Sequence, residues 1–188
     1  MRALILQTES VGEADWEITM LSEELGKLRV KAKGAAKMES KLRAGILPFV
    51  TSDVMLHPQK NGGFLLKTAA PYVERLSIRE SLCALSVAEV FAEILLAITG
   101  EGIVDEKLFL FAEKAFDALE EGKDPVTVFL YAVSAFIREA GLAPPKNAHD
   151  LPLFMQEHFE YPLGSFSFMQ KACHEVKYRS DAQETVFI

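Results

Sequence analysis

The chain has 188 residues, 49% hydrophobic and 25% charged, with a net charge of −7. This is the composition of a globular protein and excludes a disordered chain; the length suffices for one large core or two small ones. It has no apolar run of about 18 residues for a membrane helix, no long apolar leader segment at its start, and only two cysteines, Cys83 and Cys173. Two are too few for a disulfide framework or a zinc quartet, so a cytoplasmic, reduced protein without metal or cofactor is expected.

Up to about residue 73 the apolar pattern is short and alternating. Ala3-Leu4-Ile5-Leu6 begins a first strand, and Trp16, Ile18 and Met20 recur at every second position of another. From Gly26 to Lys33, Leu28, Val30 and Ala32 alternate strictly with Lys27, Arg29, Lys31 and Lys33, which predicts a strand with one buried and one solvated face. An irregular insert follows over residues 35–47. Val54-Met55-Leu56-His57 and Phe64-Leu65-Leu66-Lys67-Thr68 then flank Pro58 to Gly63, where Asn61-Gly62-Gly63 tolerates positive φ and predicts a hairpin loop. Five strands in about 70 residues suit a small closed barrel such as an OB-fold.

From Ser77 the period becomes helical. Ser77-Ile78-Arg79-Glu80 fits a capping box before a stripe of Leu82, Leu85, Val90, Phe91, Ile94, Leu95 and Ile98 that ends near Gly100. Asp105 caps a second predicted helix carrying Leu108, Phe111, Ala112, Ala115, Phe116 and Leu119, which stops at Gly122. Asp124-Pro125 is an N-cap followed by proline at the first helical position; that third helix carries Phe129, Leu130, Val133, Phe136 and Ile137 up to Gly141. Beyond Pro145, residues 150–158 and 165–178 read as short helices and the last ten residues as loosely ordered. The expected class is α+β: a barrel over residues 1–76, then an all-α half over 77–188, with core helices at about 78–141 and an extension over 146–188.

Charge is unevenly spread over this layout. Residues 26–67 hold nine basic residues against Glu39 and Asp53, a local charge of +7 that leaves −14 for the remainder. A concentrated positive field attracts a polyanion, most commonly a phosphate backbone. Lys27, Arg29, Lys31 and Lys33, followed by Lys37, Lys41 and Arg43 on the insert, are the candidate contacts; the competing reading is an ordinary solvated sheet face. Trp16, Phe49, Phe64 and Tyr72 are candidates to stack on bases, or else members of the core. The sequence carries no GxSxG, P-loop, HExxH or dinucleotide fingerprint, and no enzyme is expected.

Four short motifs occur in order: Gly12-Glu13-Ala14-Asp15, Glu24-Leu25-Gly26-Lys27, Ala32-Lys33-Gly34 with Ser40-Lys41 and Arg43 following, and Leu47-Pro48-Phe49. With Gly141-Leu142-Ala143-Pro144 downstream, residues 2–145 resemble the bacterial recombination mediators of the RecO family. Members of that family often carry a zinc-binding cysteine cluster, of which only Cys173 remains here. They also favour arginine where this chain has Ala35-Ala36-Lys37, and they continue further after Pro145.

The resemblance implies an OB-fold that binds single- and double-stranded DNA and a helical half that docks partners. It further implies annealing of complementary strands and, with RecR, loading of the RecA recombinase onto DNA coated by single-strand-binding protein, whose acidic, apolar C-terminal tail the helical half recognises. A nucleoid-associated location follows from such a role. Arg138, with Lys107 or Lys146 as alternates, is the cation expected at the tail site, chosen because this half has few. Two other readings stay open: a protein-interaction module that does not bind DNA, and an OB-type RNA binder.

Overall fold

A computed structural model of the chain describes residues 1–60 and 62–173. Its first half is a closed barrel of β1 (Arg2–Val11), β2 (Asp15–Ser22), β3 (Gly26–Ala32), β4 (Thr51–Pro58) and β5 (Phe64–Val73). The strands close in the order β1-β2-β3-β5-β4, with β3 and β5 parallel and every other pair antiparallel. This is the expected OB-fold arrangement. Ala3, Ile5, Ile18, Met20, Val30, Ala32, Val54 and Leu66 fill its interior. Their period-2 spacing holds the strands in register, because a one-residue slip would turn that set outward.

The insert between β3 and β4 closes one end of the barrel. Its first turn is fastened to the β1–β2 loop, because the Gly34 amide donates to the Asp15 carboxylate (2.8 Å) and the Ala36 amide to the Ala14 carbonyl (3.0 Å). A 3-10 turn over Arg43–Ile46 then presses Gly45 against β5, where an added Cβ would lie 2.3 Å from the Ala69 carbonyl oxygen. Ala35 and Ile46 point into the barrel core.

The second half comprises α1 (Leu82–Ile98), α2 (Glu106–Glu120), α3 (Pro125–Glu139), α4 (Leu151–Phe159) and α5 (Phe166–Ala172). Asp105 and Asp124 cap α2 and α3 as their sequence positions predict, accepting from the Leu108 and Thr127 amides at 2.9 and 2.8 Å. The capping box at Ser77 does not form. The Ser77 hydroxyl and the Ile78 amide both donate to Glu120 at the end of α2, residues 76–80 make a 3-10 turn, and α1 starts later under Ser81, which accepts from the Ala84 amide. Leu82, Phe111 and Leu130, expected in the apolar stripes, are exposed. The helix expected over 165–178 ends at Ala172; residues 174–178 of that span and the last ten residues lie outside the described residues, as does Asn61 of the hairpin loop.

Barrel and helices share a boundary rather than a linker. On β1, Ala3 and Ile5 face the barrel core, while Leu4 and Leu6 join Leu21 in the core of the helical half. Phe49 extends that core: its ring stacks on Phe116 of α2 at 5.4 Å, and Phe116 meets Phe91 edge-on at 5.9 Å. Phe49 adopts φ 70°, a left-handed backbone that costs a non-glycine residue about 1–2 kcal/mol, outweighed by the burial of a whole aromatic ring. Beside it lies Arg75, whose guanidinium is fully buried and donates to the Phe49 carbonyl (2.9 Å), the Thr51 hydroxyl (2.8 Å), Glu113 (3.0 Å) and Asp117 (2.8 Å). Thr51 in turn donates a short hydrogen bond to Glu113.

Cys83 and Cys173 form a disulfide, with Cα atoms 4.7 Å apart across 90 residues of sequence. The expectation of reduced cysteines is therefore corrected: α5 returns the end of the described chain to the first turn of α1.

Candidate nucleic-acid interface

The seven cations singled out by sequence fall into three groups. Lys27 leaves the set. It pairs in register with Leu21, whose side chain is covered by the helical half, so its ammonium meets the end of α1 and donates to the Leu96 carbonyl at 2.7 Å. A cation there satisfies a terminal carbonyl and complements the helix dipole. Burial lowers the Lys27 pKa, with Glu101 acting in the opposite direction and Arg29 adding to the fall. It is a joint between the halves and not part of an exposed strip. Gly26 shows why the turn before it is glycine: φ is +68°, and a Cβ would lie 2.0 Å from the Ile103 carbonyl oxygen in the α1–α2 loop.

Arg29, Lys31 and Lys33 are exposed and alternate with the buried Val30 and Ala32. A two-residue step sets Arg29 and Lys31 about 6–7 Å apart along β3, comparable to phosphates on a single strand, whereas Lys33, expected on the same strand, lies in the turn just after its end at Ala32. Arg29 is partly neutralised by Glu17 on β2, 3.5 Å away, and Glu17 also stands opposite Lys31 in register. Beyond it, Glu9 on β1 stands opposite Glu17. The outer sheet thus turns acidic toward β1 and stays basic on the other side of β3.

On that other side lie cations that sequence counted but did not place. The parallel register pairs Lys31 with Leu65, which sets the exposed Lys67 two residues further along β5 on the outer face. Lys60 is exposed at the start of the β4–β5 loop. Their alternation with Leu66 was the signal available for Lys67. Lys37, Lys41 and Arg43, all exposed, stand on the insert that closes the barrel end, next along the chain from Lys33. The exposed cations are therefore carried by the outer β3–β5 face and, separately along the chain, by the insert, without Lys27.

Base stacking finds little support in the aromatics. Phe49 is 1% exposed and belongs to the helical core, while Trp16 and Phe64 pack against the barrel core. Tyr72 is 54% exposed, with the Arg2 guanidinium 4.4 Å from its ring centroid. Of the four candidate aromatics, only Tyr72 is substantially exposed.

A second feature is an apolar groove of about 510 Å³ between α2 and α3. Phe111, Ala115, Ala118, Tyr131, Ala132 and Ala135 floor it, and the charged side chains of its lining are Lys114, Lys123 and the acidic Asp124. Arg138 is exposed one turn beyond Ala135 on α3, and Lys107 precedes Phe111 by one turn on α2. Lys146 lies outside either helix. Lys114 and Lys123 were missed because only the antiparallel pairing of the two helices makes them neighbours of one cavity. Among the described residues, no group of three or more His, Cys, Asp or Glu side chains could hold a metal ion, and no helix is long and apolar enough to cross a membrane.

The comparisons with known proteins agree with this geometry. A family profile described as "Recombination protein O N terminal" matches residues 1–70, the whole of the barrel but its last strand end. A "DNA repair protein RecO" from Exiguobacterium sibiricum is 31% identical over 144 residues, covering 77% of this chain and 57% of that protein. The chain belongs to the RecO family. A RecO from Bacillus subtilis is 30% identical over 145 residues, covering 77% of this chain and 56% of the relative. One from Heliobacterium modesticaldum is 47% identical over a shorter stretch of 60 residues. This RecO family member thus spans a little over half the length of these Exiguobacterium and Bacillus relatives.

Proposed function

We propose that this chain is a DNA-binding recombination mediator acting in DNA repair in the bacterial cytoplasm, at the nucleoid. The reading is supported by the exposure of Lys31, Lys33, Lys37, Lys41, Arg43 and Lys67 on the β3 and β5 strands and the turns and insert that follow β3 in an OB barrel, in a chain of net charge −7. The barrel holds the backbones of single- and double-stranded DNA by charge, and annealing follows because neutralised phosphates no longer repel a complementary strand. No side chain need act as acid, base or nucleophile in that step. The names of the relatives support a role in repair and recombination.

In the same proposal the α2–α3 groove receives the C-terminal tail of single-strand-binding protein. Its apolar floor suits apolar side chains, Lys114 and Lys123 outnumber Asp124 in its lining and suit the acids beside them, and Arg138 is exposed one turn beyond Ala135 on α3. Docking there, and cooperation with RecR, would bring the barrel to coated single strands where RecA is to be loaded.

The test is fluorescence anisotropy of a labelled oligonucleotide titrated with salt. Binding should weaken steeply, and Lys31→Ala with Lys33→Ala should flatten the log–log slope by about 0.7 for every phosphate of a single strand that is no longer neutralised. Unchanged affinity and slope would remove the β3–β5 face from the mechanism. Equal-sequence RNA and DNA probes separate the RNA-binding reading. A second reading, a module that only bridges proteins, is favoured by the Glu17–Arg29 pair and by the groove; it predicts tail-peptide binding with no salt-dependent DNA binding at all.

A further inference from the structure

Helix α5 is held against α1 at both of its ends. At its start, the Ser165 amide and hydroxyl both donate to the Glu93 carboxylate, at 3.1 and 3.0 Å. At its far end, Cys173 is bonded to Cys83 in the first turn of α1. The two helices therefore run antiparallel, with the Glu93 clamp at one end of the interface and the cysteine pair at the other. Between these points only Phe166 and Met169 of α5 are buried, Phe166 lying 6.3 Å from the Phe129 ring of α3. A helix of seven residues has no stability of its own, so its position depends on these few attachments.

We propose that Cys83 and Cys173 form a reversible redox staple that locks α5 onto α1. Three observations point to exchange rather than to a permanent bridge. Both cysteines are only half-buried. Cys83 is the second residue of α1, where the free amides of the first turn favour a thiolate, the form that attacks and leaves in thiol–disulfide exchange. The Ser86 hydroxyl lies 3.9 Å from the Cys173 sulfur, so a polar group stands beside that thiol when the bond opens.

The co-reactant is a low-molecular-weight disulfide. The Cys83 thiolate attacks one of its sulfurs and releases one small thiolate, leaving a mixed disulfide on Cys83. The Cys173 thiolate then attacks the Cys83 sulfur, forming the Cys83–Cys173 bond and releasing the second small thiolate. The two protons given up by the cysteines end on the two small thiols, and two electrons pass from the cysteine pair to the small disulfide. Excess small thiol runs the same steps backward.

Reduced, α5 keeps the Glu93 clamp, two buried side chains and the exposed hydrogen bond of Gln170 to His149 (2.9 Å), and its amides should open to solvent far more often. The experiment compares the full chain equilibrated with glutathione disulfide and with dithiothreitol. The readouts are intact mass and hydrogen exchange resolved by peptide. Oxidation should remove about 2 Da without a glutathione adduct, and exchange over residues 163–172 should be at least about tenfold slower than in the reduced protein, with the barrel unchanged. Cys83→Ser should exchange like the reduced wild type in either buffer, which separates the staple from any folding defect of the variant. A glutathione adduct on each cysteine in place of the internal bond would overturn the proposal. So would equal exchange in α5 with the bond closed and open.

Discussion

Replacing Arg75 with methionine tests what joins the barrel to the helices. Methionine keeps much of the side-chain volume and the same left-handed backbone (φ 53°), so the comparison isolates the guanidinium. Its loss removes the four hydrogen bonds to Phe49, Thr51, Glu113 and Asp117 and leaves two carboxylates without their shared cation. Breaking a fully buried pair costs about 3–5 kcal/mol. Here the arginine is wholly buried but the Glu113 and Asp117 side chains are 17% and 45% exposed, so water recovers part of the loss and about 2–4 kcal/mol is expected. For a chain of this size that corresponds to a fall in Tm of very roughly 5–15 °C.

The assay is urea unfolding followed by two probes, helical circular dichroism and the fluorescence of Trp16, the sole tryptophan, which sits in the barrel. Arg75→Lys should recover only a minor part, because one ammonium cannot reproduce a planar fork with four partners. Adding Glu113→Gln to Arg75→Met should cost less than the sum of the two changes, the mark of a direct coupling. A methionine variant within about 0.5 kcal/mol of wild type would refute the assignment of Arg75 as the tie between the halves.

Other outcomes follow from the same geometry. Gly26→Ala should destabilise by more than about 2 kcal/mol, seen as a lower thermal midpoint, since it meets both a positive φ and the Ile103 carbonyl. Lys27→Ala should cost about 1 kcal/mol of stability while leaving the salt slope of DNA binding unchanged, the reverse of Lys31→Ala. Ala132→Arg, which fills the α2–α3 groove, should abolish binding of an acidic apolar tail peptide and spare oligonucleotide binding, measured by anisotropy with each probe. Burial and then the Glu93 charge raise the Glu89 pKa, opposed by Arg79. The folded state therefore holds that proton more tightly than the unfolded one. Its contribution is complete below the unfolded value near 4.5 and is lost as pH rises through the raised folded value, so Glu89→Gln should flatten the thermal midpoint against pH just above that value.

What the sequence revealed was local. Strict alternation around Val30 fixes β3 and its faces, and Asp105 and Asp124 start α2 and α3 because a cap needs only the three residues that follow it. What it hid depends on partners far along the chain. Ser77 and Glu80 have the spacing of a capping box, yet Glu120, about 40 residues away, takes the Ser77 hydroxyl and the Ile78 amide. Lys27 continues the alternation of Arg29 and Lys31, but α1 ends against it. Phe49 resembles a surface aromatic until α2 supplies Phe116 for its ring. Charge counting located the basic barrel, whereas Lys114 and Lys123 needed the pairing of two helices before they bordered anything.

The double burial of β1 bears on how this chain is made and how it can be divided. During synthesis the first strand leaves the ribosome long before α1, and until α1 arrives Leu4, Leu6 and Leu21 form an oily stripe on the outside of the nascent barrel. A fragment cut after residue 76 would keep that stripe permanently, and is expected to clump unless those three leucines are replaced by polar residues.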